Sequence, residues 1–178
     1  MNNSKESLKT KTMVTAALLA AMIFLSTGYI LHIPVGASGY VHIGDAFIYL
    51  AAVLLPAPYA MLAGAIGAGL ADVTTGAAIW AIPTMMIKPM LVPFFTKKGD
   101  KIINTRNITA TVLAGIVGTV LYKIAEGIIT GNWVAALIVT PMTLVQPVGS
   151  AIVFILVGMA FDKAQIREKY MPVKMVEK

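Results

Sequence analysis

Six apolar stretches run through this chain, and almost all of its lysines and arginines collect in the polar segments on one alternating side of them. A hydrocarbon core of about 30 Å needs roughly 20 apolar residues per helix. Inside it the backbone polar groups must be satisfied within a helix or a closed barrel. Only 12% of the residues are charged and the mean hydropathy is +0.82, where a soluble domain carries about a quarter charged residues. The expected fold is an all-α membrane protein with six transmembrane helices, both termini cytoplasmic, forming a single membrane domain over residues 1–178.

The spans read as about 13–31, 46–55, 59–73, 82–95, 108–129 and 138–161. The second is short and is stopped by Pro56-Ala57-Pro58, so it reads as tilted or partly interfacial. Pro141 and Pro147 leave the start of the sixth helix open. Lys5, Lys9 and Lys11 precede the first span, Lys97, Lys98, Lys101 and Arg106 separate the fourth from the fifth, and Lys163, Arg167, Lys169, Lys174 and Lys178 follow the sixth. Six spans put all of these on the cytoplasmic side, and the loops 32–45, 74–81 and 130–133 on the other side contain no lysine or arginine. Five or seven spans would expose one basic cluster, so six is favoured. The N-terminal segment MNNSKESLKTKT looks like a signal-peptide head, but the long Ala-rich run behind it lacks a cleavage context and reads as a retained first helix.

Cysteine is absent, which removes disulfides, thiolate catalysis and a cysteine metal site. The net charge of +6 flanks apolar spans, where it sets topology and meets anionic headgroups rather than nucleic acid. No HExxH, GxSxG, GxxxxGK[ST] or paired-Asp motif is found, so no enzyme is expected. If transport needs ATP, partner subunits must supply the hydrolysis. No long internal repeat is evident.

Ionisable residues at membrane depth cost a few kcal/mol, which marks each as a functional candidate with a partner to be found. Lys88, Lys123 and Glu126 are the prominent cases. Lys123 and Glu126 are three apart on one helical face and can neutralise each other. They read either as part of a ligand pocket or as a structural pair that snorkels to the interface. Lys88 lies roughly 10 Å inside the fourth span at about 1.5 Å per residue, too deep to reach either interface. Asp72 or Glu126 is its expected partner, and a buried pair that only fixes helix packing is the competing reading.

The outer loops add polar and aromatic groups. Tyr40, His42 and Asp45 cluster in the first, Trp80 ends the third-to-fourth connection, and Trp133 sits in the last outer turn. Such rings form an interfacial belt or stack on a planar ligand. Gly36, Gly39 and Gly44 let the first loop bend over a site or simply turn. His32 and His42 without paired carboxylates make a poor metal site, and no metal is expected. In the first helix Ala16 and Ala20, and Ala17 and Ala21, are each one turn apart, a smooth stripe for close helix packing. Ala60, Ala63, Gly64, Gly67, Ala68 and Ala71 do the same in the third span.

Taken together, the alanine stripe, the segment YVHIGDAFIYLAAVLLPAPYAMLAGAIGAGLAD and the segment TTGAAIWAIPTMMIKPM resemble the substrate-binding S components of energy-coupling factor (ECF) transporters, over about residues 10–165. The resemblance implies a multi-pass protein of a prokaryotic-type plasma membrane that captures a small vitamin from outside. It implies docking of Ala16, Ala17, Ala20 and Ala21 on a transmembrane T subunit, which is joined to two ATPase subunits that use ATP and Mg. Cofactors of this chain itself are expected to be none. By position the resemblance points to Tyr40, His42, Asp45, Trp80, Thr84, Lys88, Tyr122, Lys123, Glu126 and Gln146 as the substrate-binding residues, and to transport by toppling of the S component rather than through a channel in it.

The long riboflavin- and thiamine-specific signatures are not evident, and the segment resembles more the branches assigned to pyridoxine or hydroxymethylpyrimidine, which the resemblance therefore implies as substrate. Trp80 and Tyr122 with Asp45, Lys88 and Gln146 would suit such a small hydroxylated heteroaromatic ring. Pantothenate is the alternative vitamin, because Lys88 or Lys123 could meet its carboxylate. A solitary secondary transporter or channel is the alternative class, motivated by the charges within the spans.

Overall fold

The computed structural model describes residues 2–30, 32–35, 39–138 and 141–167. Helix α1 covers Asn2–Gly28. A hairpin follows, with β1 (Ile33–Val35) antiparallel to β2 (Gly39–Val41) and Pro34 opposite Tyr40. Helix α2 (Asp45–Leu54) leads through Leu55 and Pro56 into α3 (Ala57–Thr74). Helix α4 (Ala78–Leu91) tightens into a 3₁₀ turn, Val92–Phe94, and α5 covers Thr105–Thr130. A short α6 (Trp133–Leu137) precedes α7 (Pro141–Lys163). Residues 168–178 and Gly36, which entered the sequence reading, lie outside the described residues.

Two expectations are corrected. The first loop is not simply a connector but carries the hairpin, so the fold is helical with one small sheet. Trp80 does not end a loop; α4 begins at Ala78 and holds Trp80 in its first turn. The second helix, read as tilted or partly interfacial, lies in the middle of the protein: all of α2 except Phe47 is buried, among α1, α3, α4 and α7. A helix apolar on every side is a buried one, and this one forms the centre of the bundle. Tyr49 stacks on Phe95 at 4.7 Å between centroids and meets Phe154 edge-on at 5.9 Å.

The pair α1–α3 is drawn together by small residues. A Cβ at Gly67 would stand 2.5 Å from the Ala20 carbonyl oxygen and 2.9 Å from Ile23 Cβ, so only glycine permits this approach. The alanine stripe is thereby divided. Ala16 and Ala20 pack against the core, while Ala17 and Ala21 are exposed.

At the opposite end from the hairpin, the basic loop is clamped by polar side chains. The fully buried Asn107 accepts from Thr96 N at 2.8 Å and donates to the carbonyls of Thr96 and Ile102 at 3.0 and 2.8 Å. The Asp162 carboxylate accepts from Ile102 N and Ile103 N at 2.7 and 2.9 Å, and Arg167 donates to the Gly99 carbonyl at 2.8 Å. Buried backbone groups that the helices do not pair are satisfied this way.

Large apolar side chains face outward over α1, α3, α4, α5 and α7, among them Leu18, Leu62, Ile82, Ile116 and Leu156. Such a girdle fits lipid rather than water. Among the described residues, Glu6–Gly28, Thr105–Thr130 and Thr143–Lys163 are long and apolar enough to cross a membrane, and α2 and Ala78–Phe94 are shorter apolar segments.

Candidate functional site

Asp45 opens α2 and points into the bundle, 95% buried. Its Oδ1 accepts from Lys88 Nζ at 2.5 Å, and its Oδ2 accepts from Gln146 Nε2 at 2.9 Å. One carboxylate therefore ties α2 to α4 and α7. Lys88 is 1% exposed and its Nζ also lies 4.9 Å from the centroid of the Tyr122 ring, a cation–π contact in a desolvated setting. The lysine's partner is thus Asp45, not the Asp72 or Glu126 expected from sequence. Asp45 is the carboxylate within reach of Nζ, while Glu126 is taken up by Lys123 and Asp72 by Tyr40.

Around this node the other groups are ordered in turn. Tyr122 donates to Thr84 Oγ1 at 2.9 Å, and its ring is 6.1 Å from that of Trp80. Lys123 and Glu126 pair at 2.9 Å, partly exposed. In the hairpin Tyr40 stacks on His32 with centroids 4.0 Å apart and donates to Asp72 Oδ1 of α3. Burial, reinforced by Asp72, raises the Tyr40 phenol above its ordinary pKa, so it keeps the proton it donates. His42 Nδ1 accepts from Gly44 N at 2.9 Å. Burial first, and then the Lys88 charge, pushes the His42 imidazole down to about 3. It is a neutral ring at physiological pH, with Nε2 carrying the hydrogen.

These groups enclose a cavity of about 500 Å³, within the roughly 300–1,000 Å³ of small-molecule sites. The structure brings all ten residues nominated from the sequence to its walls: Tyr40, His42 and Asp45 from the hairpin end, Trp80, Thr84 and Lys88 from α4, Tyr122, Lys123 and Glu126 from α5, and Gln146 from α7. It adds Thr27, Asp72, Gly118, Thr119 and Pro147, which sequence reasoning did not assign to the site. Asp72 carried a usable signal, as an acidic residue in an apolar span; the hydroxyls and small residues carried none. Ala114, Gly115 and Gly118 on α5 keep that wall thin, and a Cβ at Gly115 would stand 2.9 Å from Pro147 Cβ.

A family model described as "ECF-type riboflavin transporter, S component" matches residues 7–163. A relative from Pyrococcus woesei, described as "Uncharacterized protein in gap 3'region", is 39% identical over 95 residues, covering 51% of this chain and 62% of the relative. The chain thus aligns to less than two thirds of that relative's length. No solved structure matches the chain. The chain belongs to the ECF-type riboflavin transporter S-component family, a family of integral plasma-membrane proteins that its apolar helices fit.

Proposed function

We propose that this chain captures a small hydroxylated heteroaromatic vitamin or precursor, pyridoxine or hydroxymethylpyrimidine, from the outer side of the membrane for an ATP-driven importer. The observation that carries the substrate class is the buried Asp45–Lys88–Gln146 node set beside Trp80 and Tyr122 in one cavity. Fixed polar groups orient a planar ligand while the rings cover its faces. Riboflavin is the second reading, favoured by the family's description and by a cavity of about 500 Å³.

In this reading the chain spans six times with both termini cytoplasmic, the basic loop 96–104 faces the ATPase side, and the hairpin covers the ligand. The 10 residues of α2 reach about 15 Å, half of a hydrocarbon core. Ala17 and Ala21 present the exposed half of the alanine stripe to a T subunit, and two ATPase subunits supply ATP and Mg chemistry that this chain lacks.

Mass spectrometry of the ligand carried through purification tests the substrate class. A pyridine or pyrimidine vitamin is expected, and riboflavin would select the second reading. Pantothenate, or uptake by this chain alone in liposomes under an ion gradient, would overturn the proposal.

A further inference from the structure

The cavity has two chemically different walls. On one, Asp45, Lys88 and Gln146 already satisfy one another. On the other, formed by α1 and the α3–α4 turn, three buried polar atoms have no hydrogen-bond partner among the described residues: Asp72 Oδ2, Trp80 Nε1 and Thr27 Oγ1. All three residues line the cavity. Asp72 is 4% exposed, its other oxygen is occupied by Tyr40, and the Thr84 hydroxyl lies beside the same carboxylate.

Leaving a buried polar atom unpaired is costly, so three in the lining of one cavity mark where a ligand's polar edge belongs. The turn that joins α3 to α4 ties the backbones of Asp72 and Trp80 together beside the cavity that both line. The Asp72 carbonyl accepts from Ala77 N at 2.9 Å, the Ala77 carbonyl accepts from Trp80 N at 2.8 Å, and α4 starts in between. A carboxylate oxygen can only accept from a donor, and an indole N–H can only donate.

We propose that Asp72 Oδ2 and Trp80 Nε1 form an acceptor–donor edge that reads a complementary donor–acceptor edge on the ligand: an exocyclic amino or hydroxyl group beside a ring nitrogen or carbonyl. Thr27 Oγ1, with both a donor and an acceptor face, completes the edge where α1 meets Gly44. Specificity then resides on the α3–α4 wall, while the Asp45–Lys88–Gln146 wall preorganises the pocket. This rests on the proposed capture of a heteroaromatic vitamin.

The experiment is isothermal titration of the purified full chain with hydroxymethylpyrimidine, pyridoxine and riboflavin as probes. Asp72→Asn keeps the shape, but with one amide atom committed to accepting from Tyr40 it turns an N–H toward the ligand. Trp80→Phe keeps a ring and removes the donor. Each is expected to weaken the best probe by about tenfold or more. The analogue of hydroxymethylpyrimidine without its amino group should lose affinity for the native chain and lose little more on Asp72→Asn. Native binding that both variants leave unchanged overturns this inference alone. Failure of all three probes to bind the native chain overturns it together with the proposed substrate class. If Asp72→Asn does not fold, Trp80→Phe reads the same edge from the donor side.

Discussion

A lysine buried to 1% exposure in an apolar bundle is stable only with its charge answered, and Asp45 answers it at 2.5 Å. Desolvation offsets much of the Coulomb gain in such pairs, so their removal as a pair is mild while removal of one partner is severe. Lys88→Met leaves the Asp45 carboxylate with Gln146 alone, and it is expected to destabilise the fold by about 3–5 kcal/mol. The double variant Asp45→Asn, Lys88→Met should recover most of that. Thermal unfolding in detergent checks both; equal melting of native chain and Lys88→Met would mean that the pair is solvated. The pairing was not legible in the sequence. The two residues are 43 apart on different helices, and helical periodicity relates residues only within one element. The need for some partner was legible, because an intramembrane charge is costly wherever it sits.

At the scale of elements, the apolar runs were legible as helices because the 20-residue requirement of a bilayer overrides weaker local signals. What they concealed was depth. The segment 46–55 reads as a short span, yet α2 is the buried centre, since apolar residues suit lipid and protein interior equally. Pro83 and Pro89 lie inside α4 without ending it, as prolines are tolerated in apolar helices packed among neighbours. Glycines in α3 separate by what their missing Cβ would touch. Gly67→Ala would place its methyl 2.5 Å from the Ala20 carbonyl oxygen and is expected to cost about 1–3 kcal/mol through overpacking. Gly64→Ala meets Ile48 at 3.6 Å, an ordinary contact, and should be neutral or stabilising by about 0.5–1 kcal/mol. Melting temperatures of the two variants measured side by side decide this. A reversed order would mean that α1 and α3 do not meet at Gly67.

For the whole molecule, the division of the alanine stripe converts one sequence motif into two separable roles. Ala16 and Ala20 close the bundle against α3, whereas Ala17 and Ala21 stand free on the outer face of α1. A bulky side chain on the free face adds volume where nothing in this chain is displaced, so folding and ligand capture should survive Ala17→Leu with Ala21→Leu. A partner helix that requires close approach would be held off, because small-residue interfaces work by letting backbones come near. Co-expression with a T subunit and two ATPase subunits, followed by affinity purification, should therefore return the double variant without its partners. Ala20→Leu should fail differently, lowering the melting temperature of the isolated chain because Ala20 is packed against the core. An intact complex with Ala17 and Ala21 both replaced would remove the docking role from this face. The contrast between the two variants also tells assembly apart from folding, since only the inward substitution should be felt when the chain is alone.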